Sequence, residues 1–245
     1  MSSLLEFFAY QATSPFLSWD LQLLLAKQFK VSIAEVEATA LRCNILPLRY
    51  QKSLRNISIM ERKDIFFSHV AVTGCGQLGG YIAEGLSRIG VGHLTLIDSG
   101  IIEEATLSQH PFIGPSWLGR NKVDAVANLT KEVNPAVTVT PVVQDVNLGN
   151  GCGLLAGTEV VVDALYSTNA RLMVCNICEK LELPLINGLS LASLRTDKHC
   201  QAEHDATKMQ QNDRKEDAYT TSPQSLTLLA ENIIEATLDV LLRSG

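Results

Sequence analysis

Apolar positions along this chain follow two rhythms. Through about residue 65 they suit helices with one buried face. "SWDLQLLLAKQF" opens with Ser18 as an N-cap, and "SIAEVEATALRC" and "SIMERKDIF" carry Ser32 with Glu35 and Ser58 with Glu61 at capping-box spacing. Between the last two, "ILPLRYQKSLRN" holds Pro47, Arg49, Lys52 and Arg55 and reads as a connector. From His69 the pattern changes. "HVAVT" is a short β-branched strand, Gln77 to Ile89 a helix, and "HLTLID" a second strand. After an irregular stretch, Gly119 to Val133 reads as a helix closed by Asn134-Pro135. "VTVTPVV" and "EVVVDAL" are further strands, Thr168 to Leu181 is a helix, and "PLING" is a last buried strand.

Strands alternating with helices predict an α/β fold, a doubly wound, Rossmann-like, mostly parallel sheet. Residues 1–65 read as a helical N-terminal extension and residues 66–245 as the domain that holds the sheet. Residues 201–222, "QAEHDATKMQQNDRKEDAYTTS", contain no Leu, Ile, Val, Phe or Trp, so a mobile loop is expected near 196–222. "SLTLLAENIIEATLDVLLRS" then supplies a closing amphipathic helix.

Composition narrows the function classes. A net charge of −6 argues against a nucleic-acid binder, which needs a basic surface. No apolar run approaches the roughly 18 residues of a membrane span, and the first basic residue, Lys27, comes too late for a secretory signal. Six cysteines without a framework spacing add to the expectation of a cytoplasmic protein with reduced thiols.

The chemistry concentrates in "VAVTGCGQLGGYIAEGLSRIGVGHLTLIDSG". Gly74, Gly76 and Gly79 form G-x-G-x-x-G between a strand and a helix, where backbone can approach phosphate and the helix N-terminus offers free N–H groups to an anion. Asp98 ends the next strand, where a carboxylate can hold ribose hydroxyls. On these residues alone NAD is the ordinary cofactor.

The surrounding residues point elsewhere. "GCGQLGGYIAEGLSRIGVGHLTLID", "LGRNKVDAVANLTKEVNP" and "VVVDALYSTNARLMVCNICEKLELPLING" occur in the order of motifs of the ThiF/MoeB/HesA family, within the ubiquitin-activating-enzyme superfamily, and the chain resembles that family over about residues 45–194. The resemblance implies binding of ATP with Mg²⁺ and adenylation of the C-terminal glycine of a small ubiquitin-fold, often sulfur-carrying, protein by a homodimer. It implies that Gly74, Gly76 and Gly79 line the phosphates, that Asp98 takes the ribose, and that Lys122 supplies positive charge to the phosphates. Arg171 matches a family arginine; a surface helix arginine is the alternative. Cys200, flanked by His199 and His204, stands where relatives carry a thioester- or persulfide-forming cysteine, or is a plain loop thiol.

Several positions depart from the family pattern. Gly100 stands in place of a second acid, Thr106 in place of Asn, and Gln109 in place of a phosphate-binding Arg. Tyr166 replaces an aspartate that is a magnesium ligand in the family. Neutral Gln109 lacks an arginine's bidentate fork, and Tyr166 is a poor ligand for Mg²⁺. Arg49, Lys52, Arg55 and Arg120 could replace the charge, with Arg49 reaching a partner's nucleotide, and Glu103, Glu104 or Asp163 could support a metal. Cys175 and Cys178 have C-x-x-C spacing, but without a second pair they read as core packing rather than a zinc site. His110-Pro111 and Trp117 read as loop packing. Three functions follow: an adenylating enzyme, a degenerate homologue serving as a partner or scaffold subunit, and, last, an NAD-dependent redox enzyme.

Overall fold

The structure, a computed structural model, describes residues 3–12, 14–52, 57–107, 113–187 and 223–243. The N-terminal extension is not wholly helical. A short helix α1 (Leu4–Glu6) runs into a π turn, and β1 (Phe16–Leu17) precedes α2 (Trp19–Phe29) and α3 (Ile33–Arg42). The expected connector holds β2 (Leu46–Pro47), paired in parallel with β1, and a 3₁₀ turn over Leu48–Tyr50. Helix α4 (Ile59–Phe67) completes the extension, and both predicted capping boxes form, at Ser32–Glu35 and Ser58–Glu61.

The remaining chain builds a five-stranded parallel sheet. It comprises β3 (His69–Thr73), β4 (His93–Ile97), β5 (Thr138–Val142), β6 (Val160–Asp163) and β7 (Leu185–Asn187) in the order β5-β4-β3-β6-β7. The connecting helices are α5 (Gln77–Ile89), α6 (Glu104–Leu107), α7 (Lys122–Val133), α8 (Gly151–Leu154) and α9 (Thr168–Leu181), and α10 (Pro223–Arg243) closes the chain. α5 and α9 have the boundaries their apolar spacing predicts. α7 begins later than expected, because the backbone at 119–122 instead hydrogen-bonds with that at 100–102.

The central strands β3, β4 and β6 are buried without alternation because both of their faces are covered, whereas the edge strand β5 is largely exposed. Val70, Val72, Val160 and Val162 pack into a core with α5, α7 and α10, while Ala71 and Val161 turn to the opposite face with Val174, Ile177 and Cys178 of α9. The chain leaves β3 toward β4 and β5, then returns across it to β6 and β7. Strand order therefore reverses between β3 and β6, and the crevice beyond their carboxyl ends is where such sheets hold ligands.

The extension is joined to this sheet domain by buried polar groups. Asn134, at the C-cap of α7, donates to the Tyr50 hydroxyl and the Ser87 carbonyl, each at 2.9 Å. Arg49 donates to Asn134 Oδ1 and, at 2.8 Å, to Gln22. Glu37 is fully buried 3.8 Å from Arg49; burial pushes its carboxyl up, opposed by Arg49, Tyr50 and Arg62. Arg49 is thus engaged within its own chain.

Candidate functional site

The crevice is built from two loops, one after β3 and one after β6. Gly74 follows β3 with φ of +90°, a conformation open to glycine, and a Cβ there would stand 2.7 Å from the Ala164 carbonyl oxygen. Gly79, in the first turn of α5, lies closer still: a Cβ on it would come within 1.9 Å of the Gly74 carbonyl oxygen. The glycines are therefore required for the two strand ends and the helix start to meet. Gly76 is the N-cap of α5 and no side chain caps it. The first N–H groups of a thirteen-residue helix thus face the crevice as anion donors.

Asp98 staples this turn. Its Oδ2 accepts the Cys75 N–H at 2.7 Å and its Oδ1 the Gly100 N–H at 2.6 Å. A carboxylate offers about four lone-pair sites, so two remain for ribose hydroxyls. Lys122, the first residue of α7, points at the same place. Its Nζ lies 3.2 Å and Asp98 Oδ1 2.9 Å from the point a Cβ on Gly100 would occupy. The departure at Gly100 thus leaves the space that the Lys122 amine approaches.

On the β6 side, Asp163 and Arg171 form a buried pair, with Nε donating to Oδ2 at 3.0 Å. Asp163 Oδ1 accepts the Leu165 N–H at 3.0 Å, and Arg171 Nη2 donates to Asn187 Oδ1 at 2.5 Å. Burial pushes the Asp163 carboxyl up despite this company. Arg171 is only 9% exposed, which overturns the surface reading: it ties the ends of β6 and β7 to α9. Tyr166 follows and is 57% exposed; its Cε2 lies 3.3 Å from the position of a Cβ on Gly76, which puts the ring over the glycine turn.

Other candidates fall outside this group. Gln109, His110, Cys200 and the expected loop near 196–222 lie outside the described residues. Arg120 is stacked on Trp117 at 5.2 Å, and Thr106 caps its own short turn at Glu103. Cys175 and Cys178 are buried in α9; burial pushes the Cys178 thiol up to about 12. Among the described residues Cys43, Cys75, Cys152 and Cys178 are free thiols. Among the described residues no three His, Cys, Asp or Glu side chains cluster as a metal site. No described helix is long and apolar enough to cross a membrane. Asn187, which completes the Arg171 pair, was missed in the sequence; the signal for it is a polar residue inside the apolar run "PLING".

The geometry has relatives. A model of the ThiF family matches residues 50–218. The chain belongs to the ThiF family. Within it, the chain is 31% identical over 121 residues to the SAMP-activating enzyme E1 of Haloferax volcanii, covering 49% of this chain and 45% of that protein. It is 27% identical over 146 residues to the molybdopterin-synthase adenylyltransferase of Salmonella typhimurium, 59% of each. It therefore spans about half the length of these relatives. Among solved structures, the E. coli tRNA N6-threonylcarbamoyladenosine dehydratase TcdA in complex with ATP superposes with a TM-score of 0.50 and 26% identity, over 52% of this chain and 53% of that one. E. coli MccB with ATP gives 0.61 over 76% and 59% at 17% identity, a likeness of fold.

Proposed function

We propose that this ThiF-family chain binds ATP at the glycine turn between β3 and α5 and adenylates the C-terminal carboxylate of a small ubiquitin-fold carrier protein. The observation that carries the reading is the convergence of the uncapped α5 N-terminus, the Asp98 carboxylate and the Lys122 amine at the crevice where strand order reverses. The Haloferax and Salmonella proteins, activating or adenylylating enzymes by name, and the ATP complex of TcdA support it.

In adenylation a carboxylate oxygen bonds to the α-phosphorus while the bond to pyrophosphate breaks and pyrophosphate leaves with its electron pair. The chain's own residues supply binding and charge. The backbone N–H groups of the turn hold phosphate oxygens, Asp98 holds the ribose, and Lys122 offsets the negative charge that grows as pyrophosphate departs. Arg171 acts as a positioning residue: by fixing Asp163 and Asn187 it holds the loop that carries Tyr166. Cys200 is the candidate for any later covalent transfer, and the working unit is a cytoplasmic homodimer.

A second reading rests on Tyr166, which puts an aromatic ring where the resemblance implies a magnesium-binding carboxylate: the chain binds nucleotide but serves as the partner of a competent subunit. ATP–pyrophosphate exchange with candidate carriers separates the two. Exchange is expected in the native protein and should fall about 100-fold in Lys122→Met, with the melting temperature unchanged. Retained ATP binding without exchange would favour the partner reading.

A further inference from the structure

The resemblance implies a magnesium ion beside the phosphates, and the described residues do not fit one. Mg²⁺ demands near-octahedral oxygen ligation and takes one or two protein carboxylates along with phosphates and waters. Among the described residues, the two carboxylates at the ends of β4 and β6, Asp98 and Asp163, already accept hydrogen bonds. Each Asp98 oxygen accepts a backbone N–H group, and the lone pairs that remain are the ones assigned above to the ribose. Asp163 is buried, with one oxygen on the Leu165 N–H and the other on Arg171. To ligate a metal Asp163 would have to leave Arg171, stranding a buried guanidinium. Asp145 accepts the Ser99 hydroxyl at 2.5 Å, and Glu103 and Glu104 are exposed on the segment that caps itself through Thr106. Tyr166 stands where the resemblance implies a magnesium-binding carboxylate; its ring lies over Gly76 and brings no carboxylate.

Resting on the ATP-site reading above, we infer that this protein holds its nucleotide without a protein-bound magnesium ion, and that Tyr166 is the residue that sets this. A neutral ring beside Gly76 adds no negative charge next to the phosphate-facing backbone. Lys122 then supplies the positive charge from the opposite wall, through the gap left at Gly100. The chemical class selected is a free adenine nucleotide; any magnesium that accompanies it touches phosphates and water but no described side chain of this chain.

The test is a calorimetric titration of ATP, and separately AMP, into the full chain with excess Mg²⁺ and with EDTA. Native protein is expected to bind ATP with affinities within about threefold in the two conditions. Tyr166→Asp restores the missing carboxylate and should bind ATP about tenfold or more tightly with Mg²⁺ than with EDTA. Tyr166→Glu serves as a second acidic variant should the first fold poorly, and Tyr166→Phe should stay indifferent to the metal. Native binding that collapses in EDTA overturns the inference, as does an acidic variant that folds, binds ATP and gains no metal dependence. No binding of ATP or AMP by native protein in either condition defeats the ATP-site reading itself, a different result from metal-dependent binding.

Discussion

Arg171→Met is expected to cost about 3–5 kcal/mol of folding stability, because it leaves the Asp163 carboxylate buried without its partner. The pH dependence separates this cause from lost packing. Burial already raises the folded-state pKa of Asp163 above its ordinary value, and loss of Arg171 removes a group that lowers it. An acid with a raised folded pKa binds its proton more tightly when folded, so ionisation penalises the native state. That penalty is full above the folded pKa and disappears as pH falls toward the unfolded value. Denaturant unfolding of native and variant protein at about pH 7 and about pH 5 should therefore show the gap narrowing on acidification. A gap that stays constant would assign the loss to packing. The double variant Asp163→Asn, Arg171→Met should recover part of the stability, since it removes the stranded charge.

Gly79→Ala carries the second large effect. The added Cβ would meet the Gly74 carbonyl oxygen at 1.9 Å, a backbone atom that cannot swing aside as a side chain would. Either α5 or the turn after β3 must shift, at a cost of about 2–4 kcal/mol, and the phosphate-facing N–H groups shift with it. Loss of ATP binding should accompany the loss of stability. Gly153→Ala is the matched control, since nothing lies within 4 Å of a Cβ there and the residue sits in a short helix. Thermal unfolding should show the first variant melting well below native and the second close to it. Equal melting temperatures would refute the close approach of turn and helix.

The sheet and its helices were legible because their signals are local. Uninterrupted β-branched runs mark strands covered on both faces, and the periodicity of Gln77–Ile89 and Thr168–Leu181 gave both helices their observed ends. The two-residue strands β1 and β2 are too short to show any period, so β1 goes unread and β2 is hidden in the expected connector. Lys122 begins its helix where Gly119 was expected, because 119–122 pairs with 100–102, a contact between segments that no local pattern announces. The site was legible in its glycines, Asp98 and Lys122. Its wiring was not: that Asp98 staples the turn through the Cys75 and Gly100 N–H groups, or that Arg171 is buried on Asp163 and Asn187, depends on where strand ends meet. The same holds for Arg49, which reads as a free cation in the sequence and is half-buried against the buried Asn134 and Gln22.

The central claim is that the crevice is an adenine-nucleotide site of the ATP kind. Thermal unfolding of the full chain alone, with ATP and with NAD tests it most directly. ATP at about 100 times its Kd should add roughly 2.7 kcal/mol and raise the midpoint visibly, while NAD leaves it unchanged. Stabilisation by NAD and not by ATP, or by neither, would contradict the account.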